Sequence, residues 1–101
     1  MFVVDRAGPT HSADVVAILH GYPSWSGDYA LVVDRLAARF RVVVHDHLSY
    51  GLTDKPRDWG FSLFEQADLA IGVWRALGVK RAHVVAHDYG TSVATELCAR
   101  R

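Results

Sequence analysis

Apolar residues in this chain fall into short unbroken runs that alternate with longer stretches of helical period. Val15-Val16-Ala17-Ile18-Leu19, Arg41-Val42-Val43-Val44 and Ala82-His83-Val84-Val85-Ala86 are such runs. Bounded by turn residues, they predict strands buried on both faces, because a parallel sheet covered by helices offers no wet side. Phe2-Val3-Val4 predicts a further short strand, followed by the turn cluster Ala7-Gly8-Pro9-Thr10. From Tyr29 to Arg39, Tyr29, Val32, Val33, Leu36 and Ala37 recur at helical spacing, with Asp28 as a plausible cap. Ser62 and Glu65 form a capping box for a second helix, whose stripe is Phe64, Ala67, Ile71, Trp74 and Leu77 and whose end is Gly78. Thr91 to Arg100 predicts a third helix, apolar along Val93, Ala94, Leu97 and Cys98.

The order strand, strand, helix, strand, helix, strand, helix implies βαβ crossovers. The expected fold class is therefore α/β: a mainly parallel sheet of about four strands with helices on both faces. A chain of 101 residues is one domain at most. Neither strand-to-helix junction carries the glycine spacing that a pyrophosphate needs, and no Walker A pattern is present.

Composition narrows the partners. Half of the residues are hydrophobic, 22% are charged and the formal net charge is zero, which gives no electrostatic reason to expect nucleic acid or an anionic membrane. Cys98 is the single cysteine, so an intrachain disulfide is excluded, and its helical setting predicts a buried structural thiol. Asp5 and Arg6 come too early for a secretory signal, and Val15 to Leu19 is far too short to cross a bilayer. The expected location is cytoplasmic.

Unusual residues gather at three strand ends: His20-Gly21-Tyr22-Pro23, the stretch from Asp46 to Pro56, and His87-Asp88-Tyr89-Gly90. Open parallel sheets form their ligand crevices at such ends. In the third, Asp88 has small residues two positions away on either side, Ala86 and Gly90. That is the small-x-nucleophile-x-small spacing of a sharp strand-to-helix corner, with Asp where Ser is more usual. A carboxylate there is able to attack carbon and form an ester. Taken alone, the corner fits equally well an Asp88 that merely caps the helix. His45-x-His47 alternates faces and lacks a third ligand at zinc spacing, so no metal is expected. Trp25, Trp59 and Trp74 fit core or packing roles.

Together the three junctions resemble the α/β-hydrolase superfamily, and within it the Asp-nucleophile branch of epoxide hydrolases and haloalkane dehalogenases. The stretches Tyr50 to Pro56, Phe64 to Asp68 and His87 to Gly90 are also similar to the mesoderm-specific transcript family. The resemblance covers nearly the whole chain, but only the N-terminal part of such proteins. It implies that Asp88 is the nucleophile of a covalent alkyl-enzyme ester, hydrolysed by a His-activated water. It further implies an oxyanion hole made by the backbone N–H groups of Tyr22 and Tyr89, with His20, Gly21, Pro23, His87 and Gly90 as structural support. A cis Tyr22-Pro23 bond is implied as well, although a trans turn proline is the commoner state.

Asp46, Ser49, Gly51 and Thr53 match the family's turn, Asp-x-x-Gly-x-Gly-x-Ser, with Ser49 in the first glycine's position and Thr53 in the serine's. Tyr89 and Tyr22 stand where dehalogenases carry the Trp and Asn that bind halide, so the resemblance leans toward epoxides. In this superfamily the acid and the His follow the nucleophile, yet every His here, from His11 to His87, precedes Asp88. The expectation is an N-terminal fragment whose general base lies in a missing C-terminal half. The strand before Asp88 would then be a sheet edge, and the chain alone would show little or no turnover. The expected partner is a small electrophile, an epoxide or a related compound, with no cofactor and no metal. The alternatives are a non-catalytic binding or scaffold protein of the same fold and, after it, a haloalkane dehalogenase.

Overall fold

The computed structural model describes residues 1–10, 13–57 and 62–100; His11 and Trp59 lie outside them. Among the described residues, the chain runs β1 (Val3–Arg6), β2 (Val15–Leu19), a 3-10 turn (Ser26–Tyr29), α1 (Ala30–Leu36), β3 (Arg41–His45), α2 (Leu63–Ala76), β4 (His83–Ala86) and α3 (Tyr89–Ala99). The strands form one sheet in the order β1-β3-β2-β4. β2 pairs parallel with β3 and with β4, while β1 runs antiparallel to β3. The expected α/β architecture, mainly parallel and four-stranded, is the one observed.

Strand alternation sends Val16, Ile18, Val42 and Val44 to one face, where they pack with Val33 of α1. Leu19 points to the other face, against Ala67 of α2 and Val93 of α3. Helices therefore cover both faces, and β2 and β3 are buried as their unbroken apolar runs predict.

Local chemistry explains most boundaries. The Ser62 hydroxyl accepts a hydrogen bond from the Glu65 N–H (3.1 Å) and so starts α2. The helix ends where Val79 N–H reaches Trp74 O (2.8 Å) and Gly78 takes φ +72°, an αL cap that glycine adopts without steric penalty. α1 is shorter than its periodicity predicts: it begins after the 3-10 turn and stops at Leu36, with Ala37 to Arg39 forming a looser turn.

Three expectations about burial are corrected. β4 was read as a buried strand, but its Val84 and Val85 are 44% and 46% exposed. Among the described residues the strand pairs only with β2 and forms the sheet edge, in agreement with the edge position expected from the resemblance. Cys98 is exposed, because that side of α3 overlooks the open edge. Phe64 is also exposed; the buried side of α2 is Gln66, Ala67, Ala70 and Val73, about one residue around from the predicted stripe. No helix of the described residues is long and apolar enough to cross a membrane.

Candidate active site

The C-terminal ends of β2, β3 and β4 meet at Asp88. After Ala86 the chain leaves the sheet: His87 N–H donates to Leu19 O (3.2 Å), and Gly90 N–H returns to His87 O (2.9 Å). Asp88, between them, has φ 53° and ψ −117°, a backbone region costly for any residue with a Cβ. The turn is tight because β2 passes directly beneath it. A Cβ on Gly90 would fall on Leu19 O and lie 2.6 Å from His20 O, and one on Gly21 would lie 2.7 Å from the Asp88 Cβ. Glycine is thus required at positions 90 and 21 by backbone approach.

The Asp88 side chain makes no capping hydrogen bond to α3. Its Oδ2 instead accepts from the Tyr22 N–H (3.0 Å), on the loop after β2. The backbone N–H of Tyr22 first, and the nearby N–H of Tyr89 after it, hold the carboxyl below its usual range against the opposing effect of burial, and His87 adds to the lowering. Of the two N–H groups named from the resemblance, that of Tyr22 donates to this carboxylate. The Tyr22-Pro23 peptide bond is cis.

Beneath the corner lie three fully buried histidines. His20 Nδ1 bonds Gly21 O (2.9 Å), while His20 Nε2 accepts from the His47 N–H (2.9 Å). The His20 ring is thus neutral and carries its proton on Nδ1. His47 Nε2 in turn bonds His20 O (2.9 Å). Among the described residues, His47 Nδ1 and both His45 ring nitrogens have no partner. Burial is the largest cause that pushes His45 down to about 4 and His47 to about 3; His20 is lowered too, again chiefly by burial. The expectation that His45 and His47 alternate faces is corrected: residues two positions apart on an extended chain share a face, and the ring centroids lie 5.3 Å apart. Among the described residues, no group of three or more His, Cys, Asp or Glu is placed to hold a metal ion.

Asp46 organises the neighbouring loop. Its fully buried carboxylate accepts from Ser26 N–H (2.6 Å) and Leu52 N–H (2.8 Å), and its carbonyl accepts from the Thr53 hydroxyl (2.7 Å). Thr53 Oγ1 also accepts from Phe2 N–H, so the substituted position still ties the turn to β1. Ser49 adopts φ +71°, the left-handed conformation that glycine would supply there.

This loop brings Tyr50 to the site, a residue the sequence offered only as part of a turn. The Tyr50 ring stacks on Tyr89 (5.5 Å between centroids, 28°), and Tyr22 meets Tyr50 edge-on at 6.3 Å. With Pro23, Ser24, Ser49 and Gly51 they line a cavity of about 570 Å³. A larger groove of about 1060 Å³ lies along the open side of β4, lined by Trp74, Arg75, Val84, Leu97 and others. It opens at the N-terminal ends of β2 and β4, away from Asp88 and the Tyr22 N–H, so the smaller cavity is the better site.

Residues 14–101 match the family model of the alpha/beta hydrolase fold. The chain belongs to this family. Over 103 residues it is 40% identical to the mesoderm-specific transcript protein of Mus musculus, an alignment covering 99% of this chain and 31% of that protein. It is 29% identical to haloalkane dehalogenase 2 of Mycobacterium tuberculosis, with 99% and 33% covered. The crystal structure of an epoxide hydrolase from Vigna radiata superposes with a TM-score of 0.88 at 27% identity, covering 98% of this chain and 30% of that one. The α/β-hydrolase chain spans about a third of the length of the curated relatives it matches. The family expected from the three junctions is the family found.

Proposed function

We propose that this α/β-hydrolase chain carries the nucleophile half of an epoxide hydrolase-like site. The observation that carries the reading is the Asp88 carboxylate, set at φ 53° on the corner and bonded through Oδ2 to the Tyr22 N–H (3.0 Å). With Oδ2 held by the Tyr22 N–H and the Tyr89 N–H set beside it, Oδ1 attacks an epoxide carbon, the ring C–O bond breaks, and the alkoxide takes up a proton. The ester carbonyl oxygen is then already at the two N–H donors. When water adds, these donors stabilise the developing oxyanion, an effect typically worth a few kcal/mol. Collapse releases the diol and restores Asp88 with one oxygen from water.

His20 and His47 commit ring nitrogens to backbone groups and stay neutral in the interior, so neither serves as the base. We assign the base to the length of protein that the longer relatives have beyond this match. Tyr22 and Tyr89 offer a halide neither an indole nor a side-chain amide N–H, which favours epoxides over haloalkanes. A protein carrying this chain with its C-terminal half, taken through a single turnover in heavy-oxygen water, should first deliver light oxygen from Asp88 into the diol. Solvent oxygen in the first-turnover product would rule out the ester.

A further inference from the structure

We infer that the cavity bounded by Tyr22, Tyr50 and Tyr89 is an aryl-binding subsite beside Asp88, selecting flat aryl-bearing electrophiles over alkyl ones. Its volume, about 570 Å³, lies within the range of small-molecule sites. Its walls are unusual for an entrance. Three tyrosines from three different elements meet there: one from the β2 loop, one from the Asp46 loop and one from the first residue of α3. Tyr50 and Tyr89 form an offset stack, while Tyr22 stands at 87° to Tyr50 and remains 67% exposed.

A ring entering the cavity meets both modes that aromatic pairs prefer, a face and an edge. An alkyl chain gains the apolar area but not this ring–ring term. The link to the reacting centre is direct: Tyr22, which forms one wall, donates its N–H to Asp88, and Tyr89, which forms another, is the next residue after Asp88 in the chain. Tyr50 is therefore a specificity-determining residue that touches the substrate's substituent and not its reacting carbon. The term for an aromatic pair corresponds to about a 2- to 10-fold difference in affinity for each ring contact.

The preference for aryl groups is independent of the ester chemistry, whereas its use in catalysis rests on the proposed nucleophile. The test separates them. Binding of 1-phenyl-1,2-ethanediol and of 1,2-hexanediol to the full chain is titrated by ligand-observed NMR, for wild type and for Tyr50→Leu, Tyr50→Phe and Tyr22→Leu. The aryl diol should bind about 3- to 10-fold more tightly. Tyr50→Leu should erase most of that ratio by weakening the aryl diol more than the alkyl one, and Tyr50→Phe should keep it. Circular dichroism checks the fold of Tyr50→Leu; Tyr22→Leu alters an exposed side chain and supplies a second reading. Equal affinity for the two diols, no binding of either, or equal weakening of both by the leucine variants overturns the subsite. In parallel, styrene oxide and 1,2-epoxyhexane are incubated with the chain, and the Asp88 peptide is weighed. No adduct from either, with the diol preference intact, defeats the nucleophile and leaves the subsite standing. Equal adducts with no effect of the tyrosine variants do the reverse.

Discussion

Replacing His45 by leucine should stabilise the chain and flatten its response to acid. His45 is fully buried at the end of β3, and among the described residues neither ring nitrogen has a partner. Burial, reinforced by the nearby His20, lowers it from 6.5 to about 4, while Asp46 pulls weakly the other way. Because the folded state holds the neutral ring, the unfolded chain takes up a proton at higher pH than the native one does. Stability is then complete above about pH 6.5 and falls as pH drops toward 4, below which this residue's share levels off. The gap corresponds to roughly 3 kcal/mol at full protonation and about 2 kcal/mol at pH 5. Leucine removes that sensitivity, and it also removes two unpaired buried nitrogens, worth about 1 kcal/mol at neutral pH. His45→Leu should therefore exceed wild type by about 1 kcal/mol at pH 7.5 and by about 3 kcal/mol at pH 5. Urea unfolding followed by far-ultraviolet circular dichroism at the two pH values gives both differences. Equal losses of stability by wild type and variant between them would refute the reasoning. Acid sensitivity left in the variant belongs to His47, lowered to about 3, and to His20.

Three further outcomes follow from the same geometry. Ser49→Gly relieves a left-handed backbone at φ +71° and should raise stability by about 0.5–1 kcal/mol, read from the urea midpoint; a loss would mean that the serine side chain outweighs its backbone cost. Gly90→Ala drives a methyl into the Leu19 and His20 carbonyls and should cost about 3 kcal/mol or more, seen as a lowered or vanished thermal transition; an unchanged melting temperature would contradict the close approach. Asp46→Asn sets an amide NH₂ against one of two N–H donors that the carboxylate now accepts, and should cost about 2 kcal/mol in urea titration, whereas a neutral result would show that the loop relaxes around it.

What the sequence made legible was what depends on neighbours in the chain. β2 runs from Val15 to Leu19 as its apolar run predicts, and Ser62 caps α2 through Glu65 as their spacing predicts. The small residues around Asp88 announced a corner, and the corner is there. What stayed hidden depends on sheet order. Val84 and Val85 look like Val42 and Val43 in one dimension, yet β3 has a strand on each side and β4 has one only. The same edge leaves Cys98 exposed. Tyr50 escaped notice for a related reason: only the fold of the Asp46 loop brings it onto Tyr89, 39 positions away.

The contact between Tyr22 and Asp88 spans 66 positions and joins the loops after β2 and β4. In folding terms it is among the most non-local contacts of the chain, and its formation waits on a crossover through α1, β3 and α2. Contacts of such separation carry the largest loop-closure entropy and form late. The N–H of Tyr22 acquires its charged partner only once β4 has docked beside β2.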